Sequence, residues 1–168
     1  MPIGFTIRVA TPKDELTVSA LLESSYPVLM QQDYDRDLLS AVLPKMTRAS
    51  PELLRSGTYY VAENESGLIV GCGGWTRERP GKGDVEDKLG HIRHFATHPE
   101  WTSRAVGRSI YDVCERQARS EGVTCFECYS SLNAEGFYAA LGFESVRRMD
   151  FPMGVNLKIP GVLMRRSI

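Results

Sequence analysis

The sequence predicts a mixed α/β domain in which a central sheet of about seven strands is flanked by about four helices. Three observations support this fold class. The chain has 168 residues, a usual length for one domain, and can bury a core without disulfides. Its composition, 42% apolar and 24% charged, is that of an ordinary globular protein. Short β-rich runs alternate with longer segments of helical periodicity, without repeats or low-complexity segments, so residues 1–168 are expected to form one domain.

The first predicted strand covers 5–10, where apolar and polar side chains alternate. Thr11 followed by Pro12 is typical of a helix start, because proline fits the first turn and threonine is a common cap. We expect this helix to run to about Ser25 and to end at Pro27.

A second helix is predicted over 33–46, broken or kinked at Pro44 because proline removes a helical hydrogen bond. A short helical turn follows over 50–57. Two β-rich runs, 58–63 and 67–77, flank the turn signal "NESG" and predict a hairpin.

The second half of the chain continues the alternation of strands and helices after a charged, Gly/Pro-punctuated loop over 77–90. The predicted elements, in order, are a strand over 91–99, a helix over 102–122, a buried strand over 123–130, a short helix over 133–143, and strands over 144–151 and 161–167.

Composition excludes several classes of function. The 20 basic and 21 acidic residues leave a net charge of -1, which gives no general attraction to nucleic acid or to a membrane surface. No apolar run is long enough for a membrane helix or a signal peptide. Four cysteines in a chain without an export signal favour free thiols, so a cytoplasmic location is expected. Cys125 and Cys128 lack a second Cys pair or a nearby His, and they face opposite sides of a strand, so no metal site is predicted.

The stretch "WTSRAVGRSIYDV" (101–113) is unusual because glycine stands in the first turn of a helix. Gly107 costs roughly 1 kcal/mol there relative to alanine. Backbone N–H groups at a helix start bind anions, and small side chains let an anion approach them. Arg104 and Arg108 could add charge-assisted bonds to phosphate oxygens. We therefore predict a phosphate or pyrophosphate site here, with a close-packed glycine as the alternative interpretation.

Two motifs resemble those of the GNAT N-acetyltransferase superfamily. "HFATHPEWTSRAVGRSI" is similar to its acyl-coenzyme A signature, R/Q-x-x-G-x-G/A after a strand and a proline, and "SLNAEGFYAALGFE" to its second motif, N-x-x-x-F-Y-x-x-x-G-F. Ala105 and Ser109 depart from the glycines common at their positions but are also small. The matching positions are Arg104, Gly107 and Ser109 in the first motif and Asn133, Phe137, Tyr138, Gly142 and Phe143 in the second.

The resemblance covers nearly the whole chain and implies a mostly antiparallel mixed sheet and transfer of an acetyl group from acetyl-coenzyme A (acetyl-CoA), with no metal. The implied cofactor-binding residues are Phe95, Thr97, Arg104, Ala105, Val106, Gly107, Arg108, Ser109, Asn133 and Tyr138. For Asn133, capping of the last helix is an equally open interpretation.

The expected acceptor is a primary amine of a small molecule or peptide. An alkylammonium with a pKa near 10.4 is neutral in only about one molecule in 2,500 at pH 7, so the reaction needs a base and then an acid for the leaving thiolate. The resemblance makes Tyr138 the candidate acid. His91 is the candidate base, with an ordered water as the alternative, while His94 should face the other side of a regular strand.

The acceptor site is poorly marked in the sequence. The resemblance places it near the loop after the first helix and the third strand, where Tyr26 and Trp75 are candidates, although Trp75 equally suits the core. A catalytically silent acyl-CoA-binding sensor or partner domain is the competing function. Any self-association is expected to give a homodimer, the commonest closed oligomer.

Overall fold

The fold was obtained as a computed structural model that describes residues 4–168. Its strands are β1 (Phe5–Val9), β2 (Tyr59–Asn64), β3 (Ile69–Thr76), β4 (Leu89–Thr97), β5 (Cys125–Ser131), β6 (Glu144–Pro152) and β7 (Lys158–Ser167). Its α-helices are α1 (Glu15–Leu29), α2 (Arg36–Met46), α3 (Pro51–Arg55), α4 (Val106–Ser120) and α5 (Glu135–Ala140). None of the helices within residues 4–168 is long and apolar enough to cross a membrane.

All seven strands form one sheet in the order β1-β2-β3-β4-β5-β7-β6. Every neighbouring pair is antiparallel except β4 and β5, which run parallel. The predicted fold class, a mixed and mostly antiparallel sheet flanked by helices, is therefore confirmed.

The two prolines predicted to end or break helices do neither. Pro27 lies inside α1 and Pro44 inside α2. Each proline falls in the last turn of its helix, where the lost N–H removes one hydrogen bond and little helix remains to be disrupted. The end predicted for the first helix, near Ser25, was therefore too early, whereas the second helix ends at Met46 as predicted and continues through Pro44.

Helices cover both faces of the sheet. On one face, Gly71 in β3 leaves room for Val106 and Ile110 of α4, which would clash with a side chain at that position. On the other face, α1 packs against β3 and β4, with Val18 and Leu22 fully buried. Central strands buried on both faces are expected for a sheet enclosed between helices.

An irregularity in β4 reshapes the sheet at its centre. The register between β3 and β4 shifts by one residue, and His94 adopts a left-handed backbone with φ 54°. The His94 ring Nε2 lies 3.0 Å from the Met46 carbonyl oxygen, and the Tyr59 hydroxyl donates to the His94 carbonyl at 2.8 Å. These contacts from α2 and β2 hold the extra residue of a β-bulge in place.

The bulge overturns the prediction that His91 and His94 face opposite sides. The His94 ring lies 5.9 Å from the Tyr26 ring on α1. His91 lies beside Glu127 and Tyr129, on the same face of the sheet as His94. The two-residue period of a regular strand fails here because one inserted residue flips every side chain beyond it.

Candidate active site

The sheet splits between its two parallel strands. β4 and β5 pair only through Leu89–Cys125, Gly90–Phe126 and His91–Glu127, and then diverge. Beyond His91, β4 keeps β3 as its partner, so its other edge lies open toward β5. A cavity of 430 Å³ occupies this region, and we call it the cleft cavity. Among its lining residues are Ser25, Tyr26, Phe95, Thr97, Trp101, Ala105, Val106, Gly107, Arg108, Asn133, Phe137 and Tyr138.

The N-terminus of α4 forms one wall of the cleft cavity. The Ser109 N–H donates to the Ala105 carbonyl at 2.9 Å, so the N–H groups of residues 106–108 precede the first intrahelical bond. These groups and the helix dipole favour an anion at this end of the cavity. Binding of an anion by this stretch stays a prediction.

Of the predicted residues in this loop, Ala105, Val106, Gly107 and Arg108 line the cleft cavity, whereas Arg104 and Ser109 do not. The Arg104 guanidinium instead stacks over the Trp101 ring, 4.6 Å from its centroid.

Gly107 has a packing role that the prediction of an anion site did not include. A Cβ at this position would lie 2.8 Å from the Phe137 ring and 3.7 Å from the Thr97 hydroxyl. The missing side chain therefore makes room for a ring of α5, besides leaving the backbone accessible. The alternative interpretation of a close-packed glycine thus holds alongside the exposed helix start.

Ala105 explains why glycine is common at its position. Its backbone is left-handed, with φ 63° and ψ 20°, at the N-cap of α4. Ser103, two residues earlier, is also left-handed, with φ 64°. Non-glycine residues adopt this conformation at a cost of about 1–2 kcal/mol each, so this loop is strained where it meets the cavity.

Two hydroxyl groups of α1 cap the open edge of β4. The Ser25 hydroxyl donates to the Thr97 carbonyl at 2.7 Å, and the Tyr26 hydroxyl donates to the Phe95 carbonyl at 2.9 Å. Each carbonyl keeps a second lone pair for a ligand. Sequence reasoning nominated Tyr26 but missed Ser25, which is fully buried; a polar residue on the apolar face of α1 was the available signal.

Asn133 lines the cleft cavity and has an unsatisfied side-chain oxygen. Its side-chain Oδ1 is buried and has no hydrogen-bond partner in residues 4–168. Asn133 is not at a helix N-cap: Ser131 occupies that position for the short 3₁₀ turn Leu132–Ala134, and Ala134 occupies it for α5. The proposed capping role is therefore excluded, and the oxygen is free to accept a bond from a ligand N–H.

Tyr138 projects from α5 into the same cavity. Its ring packs against Phe95 and Phe143, with centroids 6.2 and 5.6 Å away, and its exposed fraction is 6%. Burial, followed by the neighbouring Cys128 thiol, raises the pKa of the Tyr138 hydroxyl well above its usual value of 10.0. The phenol is therefore protonated at neutral pH and can act as a hydrogen-bond donor.

His91 is the last residue of β4 that pairs with β5, and it does not line the cleft cavity. It is 2% exposed, and its Nδ1 lies 3.9 Å from a Glu127 carboxylate oxygen. Burial, followed by the charges of Arg79 and Arg93, lowers the pKa of His91 to about 4. The imidazole is therefore neutral at physiological pH but is a weak base, and no described contact joins it to Tyr138.

Trp75 belongs to the core on the face covered by α4. Its side chain is 1% exposed and packs against Phe126, with ring centroids 6.1 Å apart. The structure does not bring it to the cleft cavity, so we do not retain it as an acceptor-site residue.

The described chain contains four free cysteines, of which Cys72, Cys114 and Cys128 are buried and Cys125 is partly buried. No group of three or more His, Cys, Asp or Glu side chains within residues 4–168 is arranged to hold a metal ion.

Comparison with known proteins identifies the fold family. The acetyltransferase (GNAT) domain family matches residues 55–145, a span that includes β2 to β5, α4 and α5. Comparison with curated protein sequences gave no match.

Solved structures of similar fold agree with this match. A GCN5-related N-acetyltransferase from Rhodopseudomonas palustris is 22% identical with a TM-score of 0.79, over 97% of this chain and 95% of its own. The PaiA N-acetyltransferase of Thermoplasma acidophilum, solved with coenzyme A, is 15% identical with a TM-score of 0.70, over 98% of this chain and 99% of its own. The ribosomal-protein-S18-alanine N-acetyltransferase of Escherichia coli is 11% identical with a TM-score of 0.64, over 98% of this chain and 94% of its own. With its split sheet, its two sequence motifs and a family match over more than half of its length, the chain belongs to the GNAT acetyltransferase family.

Proposed function

We propose that this protein is an acetyl-CoA-dependent N-acetyltransferase that acetylates a primary amine of a small molecule or peptide by direct attack. The observation that supports this most is the cleft cavity, where an open strand edge, a helix N-terminus and the unsatisfied Asn133 oxygen meet. These are the groups needed to bind an amide-containing arm at one end and phosphate groups at the other.

The residues around the cleft cavity fit acetyl-CoA. Backbone groups of Phe95 and Thr97 and the Asn133 oxygen would bind the pantetheine arm, and the N–H groups of residues 106–108 would bind the pyrophosphate. Arg104 and Arg108 are exposed beside this helix start and would add positive charge. When bound, the cofactor would supply an activated thioester, whose carbonyl carbon is open to attack by a neutral amine.

Tyr138 is the proposed general acid. In the transfer, the amine nitrogen bonds to the acetyl carbon, the carbon–sulfur bond breaks, and the thiolate takes a proton. Tyr138 lines the cleft cavity with a buried, protonated hydroxyl, which supports its role as the donor of that proton. Tyr26, on α1, donates a hydrogen bond to the Phe95 carbonyl, so its hydroxyl oxygen would keep a lone pair for an amine N–H.

The proton of the amine needs a different acceptor. His91 was the candidate from sequence, but its position outside the cleft cavity and its pKa of about 4 disfavour direct proton abstraction. We propose that a solvent water in the cleft, held by backbone carbonyls of β4, takes this proton first.

Calorimetric titration tests the site. The protein should bind acetyl-CoA saturably and ATP much more weakly, because ATP shares the phosphates but lacks the arm that reaches β4 and Asn133. Asn133→Leu should weaken acetyl-CoA binding by about 10-fold, since it removes the polar partner but keeps the side-chain size. Equal affinity for ATP and acetyl-CoA would instead indicate a nucleotide-binding domain.

The second candidate function is a silent acyl-CoA-binding module. Such a module would bind acyl-CoA in the same cleft cavity as the proposed enzyme but would not catalyse acetyl transfer. The presence of Tyr138 in the cavity favours the enzyme.

A further inference from the structure

A second cavity lies at the other end of β3 and β4 and has no part in the proposed reaction. Its volume is 460 Å³, and it shares no lining residue with the cleft cavity. The side chain of Arg93 reaches it from β4, and α3, the end of β3 and the C-terminus of α4 complete its walls. We call it the Arg93 cavity.

Arg93 is a half-buried cation without an anionic partner. Its Nη1 donates to the Thr76 hydroxyl at 2.9 Å, and no carboxylate in the described chain forms an ion pair with it. Burial lowers the pKa of the Arg93 guanidinium below its usual value. Arginine carries five N–H donors, so most of its bonding capacity remains for a ligand.

A tryptophan beside this cavity, Trp75, has an unsatisfied donor of its own. Its side chain is 99% buried, being 1% exposed, and its indole N–H has no acceptor among residues 4–168. Buried N–H groups in native proteins almost always have a partner, so an orphaned one calls for a ligand or a water. Trp75 lines the Arg93 cavity together with Arg93 itself.

The carboxylates of the Arg93 cavity restrict what it can bind. Glu52 and Glu78 are exposed lining residues close enough for their charges to raise the pKa of Arg93, against the larger effect of burial. Glu121 is already paired with Arg77, its carboxylate lying 3.6 Å from the guanidinium. Two exposed negative charges disfavour phosphates and other polyanions, but they suit a ligand that also carries a positive group.

We propose that the Arg93 cavity is a binding site for a zwitterionic α-amino acid, separate from the acetyl-transfer site. The ligand carboxylate lies on Arg93, where two oxygens match the guanidinium fork. Trp75 lines the same cavity and serves as a reporter of its occupancy. The ligand ammonium faces Glu52 and Glu78 at its exposed side.

The two tryptophans of the chain allow a direct test by NMR of ¹⁵N-labelled protein. Trp75 lines the Arg93 cavity and Trp101 lines the cleft cavity, so each indole N–H signal reports on one cavity. Titration with L-alanine should move the Trp75 signal saturably and leave that of Trp101 in place. Acetyl-CoA should move the Trp101 signal. If it does not, the proposed function is contradicted, but the proposal for the Arg93 cavity is unaffected.

Matched ligands separate the two ends of the proposed contact. Propionate is alanine without its ammonium group, and ethylamine is alanine without its carboxylate. L-alanine should bind at least about 10-fold more tightly than either, since each loses one charged pairing. Inorganic phosphate should bind more weakly than propionate or ethylamine. Equal binding of propionate and L-alanine, or stronger binding of phosphate, would overturn the amino-acid assignment.

Matched variants assign the residues. Arg93→Gln keeps a donor for Thr76 but should weaken L-alanine and propionate alike by about 10-fold. Glu52→Gln combined with Glu78→Gln should weaken L-alanine and spare propionate. If Arg93→Gln fails to fold, the ligand comparison on the parent protein still decides. A Trp75 signal unmoved by L-alanine at tens of millimolar, roughly the limit of specific weak binding, would refute the proposal.

Discussion

At the residue scale, the proposed mechanism depends on one hydroxyl. Tyr138→Phe keeps the ring that packs against Phe95 and Phe143 and removes only the proton donor. General acid catalysis contributes about 10²- to 10⁴-fold, so kcat should fall by at least about 30-fold, while acetyl-CoA affinity stays within a few-fold. Steady-state kinetics combined with calorimetry measures both quantities.

The leaving group provides the control for Tyr138. An acyl donor whose thiol is more acidic needs less help, so the Tyr138→Phe variant should lose less activity with it. If the variant turns over acetyl-CoA like the parent, Tyr138 is a packing residue and solvent protonates the thiolate.

Single residues were predicted unevenly from sequence. Tyr138, Asn133 and Gly107 were found because they stand in motifs, and the structure places all three on the cleft cavity. Trp75 was misplaced because an aromatic residue in a strand suits a core as well as a site. Ser25 was missed because its contact with Thr97 joins residues 72 positions apart, which no local pattern reveals.

At the element scale, α4 and α5 meet at Gly107 and Phe137. An alanine Cβ at position 107 would lie 2.8 Å from the Phe137 ring, so Gly107→Ala should lower the free energy of unfolding by about 1–2 kcal/mol. In a Phe137→Ala background the same change should cost nothing, because the ring is gone and alanine favours the helix. Urea unfolding of the four proteins in this double-mutant cycle measures the coupling. An equal cost in both backgrounds would rule out the contact.

Gly107→Val tests the second role of this glycine. Branched carbons at position 107 should block the approach of the pyrophosphate to the N–H groups of residues 106–108, so acetyl-CoA binding should weaken by more than about 10-fold. The variant is made in the Phe137→Ala background to remove the packing effect. Binding within twofold of that background would move the pyrophosphate elsewhere.

The loop before α4 provides another prediction at this scale. Ala105 has a left-handed backbone, which glycine adopts without strain, so Ala105→Gly should raise the free energy of unfolding by up to about 1 kcal/mol. Ala139→Gly in α5 is the matched control and should lower it by about 1 kcal/mol, because Ala139 is helical. Urea denaturation of both variants checks the signs. A destabilising Ala105→Gly would show that the loop is not strained.

Helix ends and the β4 bulge mark the limit of prediction for elements. Proline is a helix breaker in general, but Pro27 and Pro44 occupy last turns, where little is lost. The bulge depends on contacts of His94 with Met46 and Tyr59, which are distant in sequence. Periodicity could therefore predict that β4 exists but not which face its histidines take.

At the scale of the whole molecule, the buried His91 should make the fold sensitive to acid. His91 titrates near 6.5 when unfolded and near 4 when folded. As the pH falls below 6.5, the unfolded chain binds a proton that the folded one rejects, so stability is lost until the folded His91 also titrates near 4. The titration of His91 lowers the free energy of unfolding by about 3 kcal/mol at most. Burial lowers the pKa of His94 as well, with the same sign.

Urea unfolding at a series of pH values measures this effect. His91→Gln, which cannot titrate, should flatten the decline between pH 6.5 and 4. Asp14 acts at lower pH, because its pKa is lowered by Arg8 and the stability it adds is lost only as the pH falls through that value. A parent protein whose stability stays constant over the His91 range would contradict the burial of a neutral imidazole.

The order of elements and the two motifs were enough to predict the sheet, its mostly antiparallel pairing and the family. The split between β4 and β5 could not be derived from local pattern, because it depends on which strands stop pairing after His91 and Glu127. That split creates the cleft cavity on which the proposed function depends.

Release of free thiol from acetyl-CoA in the presence of a panel of primary amines tests the central claim most directly. The panel contains small amines, amino acids and peptides with free N-termini, and the acetylated product is identified by mass spectrometry. We predict thiol release that depends on the amine, equals the acetylated amine formed, and falls at least about 30-fold in Tyr138→Phe. Saturable binding of acetyl-CoA without amine-dependent release from any member of the panel would contradict the enzyme and favour the silent binding module.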